Sequence, residues 1–247
     1  MLIMSLRWKI AQWFELRWWK NYLSSKDKEK YLIWKKNYWK EILLKVAEIV
    51  ELDSSKSICD FGCGPAGSFI AISQNKITAI DPLIYEYEKR TSFFRNSDYP
   101  NTTFVRSTIE DFVPESQTCQ VSSRNLRTWQ VSPHKYDLVF CMNAINHIQH
   151  IELGFDKMKE VCADGGSIII TVDAHNFKLL KYLFHLIPWD ILHPHQYTLK
   201  EYQFFLEKNG WHIVKSKLLK KGLLFDHYLL AANKSGSIFS DTMVHPN

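Results

Sequence analysis

The chain has 247 residues, 46% hydrophobic and 14% aromatic, enough to bury the core of one α/β domain with additions. Its five cysteines, at 59, 63, 119, 141 and 162, are odd in number and irregular in spacing. They exclude a disulfide framework or a paired metal motif and point to a reducing cytoplasm. No apolar run approaches the roughly 20 residues that span a bilayer, and the start lacks the apolar stretch and cleavage site of a signal peptide.

Net charge is +5, yet residues 1–50 hold eleven Lys/Arg against five Asp/Glu, so the basic character belongs to the N-terminal segment. There Leu2, Leu6, Ile10, Trp13, Phe14 and Trp18 fall at helical spacing, with Arg7, Lys9, Arg17 and Lys20 between them. Ser24 to Lys28 interrupts the pattern and Tyr31 to Val50 resumes it, which predicts two or three amphipathic helices over residues 1–50. Three roles are open to them. In order of preference, their apolar stripes pack on the sheet edge or on each other; an aromatic such as Tyr31, Trp34 or Tyr38 closes as a lid over a bound substrate; or they attach to an anionic membrane surface or an acidic partner.

The stretch from Ser57 to Ile72 follows. Ile58 and Cys59 end a buried strand over 56–61, Asp60 stands at its carboxyl tip, and Gly62, Gly64 and Gly67 make a turn that lets backbone approach a ligand. Pro65 suits the first turn of a helix expected over 67–74. The glycine spacing also matches a dinucleotide fingerprint, but an acid two residues before the first glycine repels a pyrophosphate and attracts the ammonium of an amino acid. Asp81, closing a second strand over 77–81, is placed to accept both hydroxyls of a ribose. A ribose joined to an amino acid describes S-adenosylmethionine.

Helix 83–95 and strand 102–106 continue the alternation. Residues 114–134 are polar, turn-rich and longer than the usual link, and read as an insertion, either a mobile flap or inert. Tyr136 to Cys141 is a buried strand whose carboxyl end, with Asn143 and His147, lies where open α/β sheets place ligands. Helix 151–162 and a tight turn at Asp164-Gly-Gly166 lead into strand 167–172, a β-branched run that implies burial on both faces. His175 lies just past its tip, on the ligand side. Phe177 to Tyr197 is expected to form a helix and then a loop over the pocket. His193 and His195 stand one residue apart in that loop, without a carboxylate or cysteine at convincing spacing, so they read as pocket residues and no metal is expected. Thr198 with Glu201 forms a capping box opening helix 199–209, Gly210 ends it, and strands over 211–218 and 226–232 precede a frayed tail over 234–247.

Asp60 to Gly67, Ile80-Asp81-Pro82, Tyr136 to Phe140 with Asn143 to His147, and Asp164 to Thr171 occur in this order, over roughly Leu43 to Ala232. Together they resemble the class I S-adenosylmethionine-dependent methyltransferases. The resemblance implies a Rossmann-like, seven-stranded mixed sheet with an antiparallel C-terminal hairpin, spanning residues 51–233 behind the N-terminal helices. It also implies that S-adenosylmethionine lies against Asp60, Gly62, Cys63, Gly64, Gly67, Asp81, Pro82 and Asn143, leaving S-adenosylhomocysteine as product. Thr103 to Phe112 matches the family's third cofactor segment, with Thr108 where an Asp often stands, so that adenine is met by backbone amide and by Ile109. Glu110 and Asp111 read equally well as carboxylates capping the next turn.

Methyl transfer from a sulfonium mainly needs in-line placement, and a base helps only when the nucleophile is protonated. His147 has the pKa range for such a base and, as an alternative, the position of a capping or packing residue. The expected acceptor is an O or N, with C less favoured, of a small, apolar or planar molecule, enclosed by Tyr31, Trp34 and Tyr38 from the N-terminal helices and by His175, His193 and His195. The Asn/Asp-Pro-Pro-aromatic run of nucleobase amine methyltransferases is absent after Phe140, which argues against an adenine or cytosine amino group as acceptor, and nucleic acid is not the expected partner. The competing readings are a tRNA or protein methyltransferase recruited by the basic helices, and a cofactor-binding module without catalysis.

Overall fold

The computed structural model describes residues 6–123, 126–176 and 197–234, of which 116–133 are described by their backbone course. Two helices come first, α1 (Leu6–Ser24) and α2 (Lys28–Ala47), and the Asp27 side chain caps α2 by accepting the Lys30 N–H at 2.9 Å. Strands β1 (Ile58–Phe61), β2 (Ile77–Ile80) and β3 (Thr102–Val105) form one half of a seven-stranded sheet, with helix α3 (Ile84–Arg90) between β2 and β3. The other half holds β6 (Tyr136–Met142), β7 (Cys162–His175), β8 (Trp211–Lys220) and β9 (Phe225–Lys234), with α4 (Ile151–Val161) and α5 (Leu199–Lys208) between them. The strand order is β3-β2-β1-β6-β7-β9-β8, and β9 alone runs opposite to the other six strands. This is the expected mixed sheet with an antiparallel C-terminal hairpin.

A parallel sheet covered on both faces should alternate strictly in what each residue meets, and it does. Cys59, Phe61, Val139, Cys141, Ile168 and Ile170 face α4 and α5, where Phe155, Met158 and Leu206 are buried with them. Ile58, Ala79, Leu138, Phe140 and Ile169 face the other way, onto Trp39, Leu43 and Val46 of α2 and Ile84 and Tyr87 of α3. The strand order reverses between β1 and β6, the place where open α/β sheets bind ligands.

Three elements differ from their sequence patterns. The helix expected over 67–74 is replaced by two 3-10 turns, Gly64–Ala66 and Ser68–Ile70. Gly67 lies extended between them, and Phe69 turns into a cluster with Phe94, Tyr99 and Phe104 in place of lining a helix face. Helix α3, expected over 83–95, stops at Arg90, where Thr91 becomes extended and its hydroxyl donates back to the Tyr87 carbonyl (2.9 Å). The 114–134 insertion is an antiparallel hairpin, β4 (Ser116–Ser123) with β5 (Leu126–Pro133), paired residue for residue and separate from the main sheet. The Asp164-Gly-Gly166 turn is accommodated as a register shift in β7 opposite Tyr136 and Leu138, with Gly165 at φ +76°. No helix among the described residues is long and apolar enough to cross a membrane.

One contact fixes α2 to the ligand end of the sheet. The Trp39 indole N–H donates to the Ala66 carbonyl at 2.8 Å, in a position where Trp39 is buried. Trp39→Phe keeps the packing and orphans that carbonyl, which should cost about 1–3 kcal/mol. Chemical denaturation reads this directly, and an unchanged midpoint would show that the bond does not secure the helix.

Candidate active site

Backbone hydrogen bonds tie each strand tip to a neighbouring strand: Gly62 N–H to Ile80 O (2.8 Å) joins β1 to β2, Asp81 N–H to Val105 O (3.1 Å) joins β2 to β3, and Asn143 N–H to Thr171 O (2.9 Å) joins β6 to β7. Gly62 and Gly64 have φ +68° and +58°, in the left-handed region where a side chain is strained. At Gly62 a Cβ would lie 2.3 Å from Ala144 Cβ, so the β1 turn and the β6 tip touch with no room for a methyl group. At Gly64 a Cβ would meet only the Trp19 ring, at 3.9 Å, and the backbone there opens onto a cavity.

Asp81 ties this turn down. One carboxylate oxygen accepts the Gly64 N–H (2.9 Å) and the other the Leu83 N–H (2.8 Å). Asp60 is 1% exposed; its Oδ2 accepts the Ser68 hydroxyl (2.7 Å), while Oδ1 is buried with no hydrogen-bond partner. Burial pushes the Asp60 carboxyl up to about 7, the nearby Asp81 charge adds to the rise, and hydrogen bonds from Ser68 oppose it.

The cavity holds about 450 Å³. Its floor is Gly62, Cys63, Gly64, Asp81 and Pro82; Ser107, Thr108, Ile109 and Glu110 form one wall; and Met142, Asn143, Ala144 and His147 form another. Asn143 has φ +58°, a strained conformation for a side-chain-bearing residue, and its Oδ1 accepts the Thr171 hydroxyl at 2.8 Å. Thr108 accepts the Asp111 N–H (3.1 Å), and Glu110 accepts the Gln149 and His150 N–H groups (both 2.9 Å) just ahead of α4. Glu110 thus ties the wall to the start of that helix.

The substrate-side residues named from sequence are only partly brought here. His147 lines the cavity. Tyr38 is half-buried and hydrogen-bonded to the Asn143 side chain, beside the cavity and outside its lining. Tyr31 is buried in a separate cluster with Leu23, Ala66 and Phe93, and Trp34 is exposed, stacked on Tyr38 at 6.2 Å. His175 is buried against Phe225, with ring centroids 4.4 Å apart, away from the cavity lining. His193 and His195 lie outside the described residues.

The roof is what the sequence pattern missed. Trp8, Gln12, Glu15, Trp18 and Trp19, on successive turns of α1, cover the cavity together with Lys35 and Trp39 of α2. The apolar stripe expected to pack inward, including Leu6, Ile10, Trp13 and Phe14, is exposed. Glu15 accepts from the Tyr87 hydroxyl (3.3 Å) and from Gln12 Nε2 (3.4 Å). Burial raises both the Glu15 and the Asp81 carboxyls; the Asp81 charge adds to the rise at Glu15, whereas two backbone N–H bonds hold Asp81 back. Glu15 is therefore the acid that keeps the proton. The Lys35 ammonium sits 4.7, 5.1 and 5.6 Å from the ring centres of Tyr38, Trp39 and Trp34, with no ion-pair partner among the described residues, and burial brings its pKa down to about 8.

Residues 31–216 match the methyltransferase domain family. No curated protein matches the sequence. Among solved structures, the YcgJ protein of Bacillus subtilis has a TM-score of 0.59 at 13% identity, with 80% of this chain and 98% of that chain covered. Magnesium protoporphyrin IX methyltransferase from Synechocystis PCC 6803, solved with bound S-adenosylhomocysteine, has a TM-score of 0.55 at 16% identity over 81% and 83%. The cyclase SpnF has a TM-score of 0.59 at 12% identity over 79% and 80%. The chain belongs to the methyltransferase domain family and has the Rossmann-like fold of its class I, S-adenosylmethionine-dependent members.

Gly62→Ala tests the touching tips. The added methyl group must displace Ala144 or the turn, at a cost of about 2 kcal/mol or more. A urea-denaturation midpoint equal to that of the parent would contradict the close approach.

Proposed function

We propose that the chain transfers a methyl group from S-adenosylmethionine to an O or N atom of a small, apolar or planar molecule. The observation that carries the proposal is the buried Asp60 oxygen without a hydrogen-bond partner, itself outside the cavity lining but two residues before the positive-φ glycine turn that floors it, with Asp81 in the floor on the adjacent tip. A carboxylate held in that state accepts an ammonium and rejects a pyrophosphate. Two further groups suit the same ligand. Asp81 keeps lone pairs beyond its two N–H bonds for ribose hydroxyls, and Lys35, lacking an acidic partner among the described residues, suits an amino-acid carboxylate. Thr108 and Ile109 line the wall proposed to take the adenine.

When bound, the cofactor supplies a sulfonium methyl with a good leaving group, so the protein's work is placement and exclusion of water. Trp8, Trp19 and Trp39 roof the cavity, and Asn143, fixed by Thr171, holds the β6 tip. His147, on the same wall, takes the acceptor's proton when that acceptor is a phenol or a protonated amine.

The proposal gives a pH dependence with a definite sign. Because Asp60 is protonated below about 7 in the empty pocket, an ammonium must displace a proton there, and affinity falls on the acid side of that value, approaching tenfold per pH unit. Calorimetry with S-adenosylhomocysteine between about pH 6 and pH 7 should show tightening as pH rises, before loss of the Lys35 proton at about 8 opposes it. Asp60→Asn should weaken binding at least about tenfold and flatten the profile. A flat profile in the parent, or tight NADH binding, would overturn the assignment. His147→Ala should slow transfer to a phenol by about 100-fold while S-adenosylhomocysteine affinity stays within about twofold. An undiminished rate removes it as the base.

A further inference from the structure

The outer face of α1 is the feature that neither the fold nor the cavity accounts for. Leu6 is 75% exposed, Trp13 53%, Phe14 44% and Ile10 38%, and these side chains run along the first half of a helix of 19 residues. Burying such residues stabilises a protein, so a stripe of them left in water on one helix marks a contact surface. Exposed Arg7 and Lys9 flank the stripe and exposed Arg17 and Lys20 follow it on the next turns of the same helix, with the Arg17 guanidinium 5.4 Å from the Trp13 ring centre. The only acid in α1 is Glu15, and it faces the cavity, so the outer face carries basic charge alone.

We propose that this face of α1 docks on an anionic lipid bilayer, lying in the interface with Leu6, Ile10, Trp13 and Phe14 among the acyl chains and its basic residues at the headgroups. A convex helical cylinder with Trp, Phe and Leu on one side and Lys/Arg flanking them suits a deformable interface, in which the flanking cations reach upward to phosphate and carboxylate. A second copy of this chain is a poor occupant, because it would set one basic helix against another. The surface is independent of what the cavity binds, so its failure and that of the methyl-transfer proposal are separable.

The test is co-sedimentation of the full chain with lipid vesicles of phosphatidylcholine alone or with about 30% phosphatidylserine. The expected result is pelleting with the anionic vesicles, little with the neutral ones, and release as salt rises from about 0.05 to about 0.5 M. The combined change Ile10→Ser, Trp13→Ser and Phe14→Ser should weaken pelleting at least about tenfold, and so should Arg7→Gln with Lys9→Gln, all at exposed positions and with an unchanged thermal midpoint. A parent chain that stays in solution with anionic vesicles overturns the proposal. So does a triple variant that pellets like the parent, which would place binding elsewhere, or equal pelleting with neutral vesicles. A dimer dissolved by the triple variant without vesicle binding would assign the face to self-association instead and overturn it as well.

Discussion

The ligand end of this protein is organised by the Asp81 carboxylate, which receives one N–H from the glycine turn and another from the residue leading into α3. Through the Gly64 bond the tip of β2 holds the turn after β1 in its left-handed conformation, and the turn in turn admits the β6 tip at Ala144. The arrangement concentrates acid. Asp81 and Glu15 line one cavity and Asp60 is buried just outside its lining, all raised by burial, and a low-dielectric site tolerates that only by holding protons or by receiving a cation. A dianionic pyrophosphate would compound the repulsion; an amino acid joined to a nucleoside relieves it.

The strand tips were legible in the sequence because their signals are local. Asp60 precedes its glycines by two and four residues, Asp81 closes an apolar run, and the β-branched run before Thr171 announces a strand buried on both faces. Such features do not depend on what packs around them. The α1 orientation was not legible, for a physical reason. Periodicity reports that a helix has two unlike faces, and the apolar face is ordinarily the inward one. Here Trp8, Gln12, Glu15 and Trp19 face inward because the cavity they cover needs polar and aromatic lining. A single acid, Glu15, standing alone among basic residues was the available signal, and it is a faint one.

The helix lost after the glycine turn and the hairpin gained at 116–133 follow from the same distinction. Phe69 to Ile72 has helical composition, but Gly67 is extended and the ring of Phe69 is captured by Phe94, Tyr99 and Phe104, all distant in sequence. In Gln117 to Val121 polar and turn-favouring neighbours masked a strand whose pairing partner begins only at Leu126.

The fold itself does not choose a reaction, since structures as similar to this one as a methyltransferase and a cyclase share it. What differs among such proteins must lie in the parts laid over the common strand tips. In this chain those parts are not a remote cap: Glu15 of α1 shares its electrostatics with Asp81, and α2 is bonded through Trp39 to the glycine turn while its Lys35 lines the same space. Any shift of α1 or α2 therefore alters the charge felt at the strand tips as well as the shape above them. On the proposed assignment, acceptor choice and cofactor affinity are coupled in these two helices, and neither could be exchanged for another protein's lid without resetting the other.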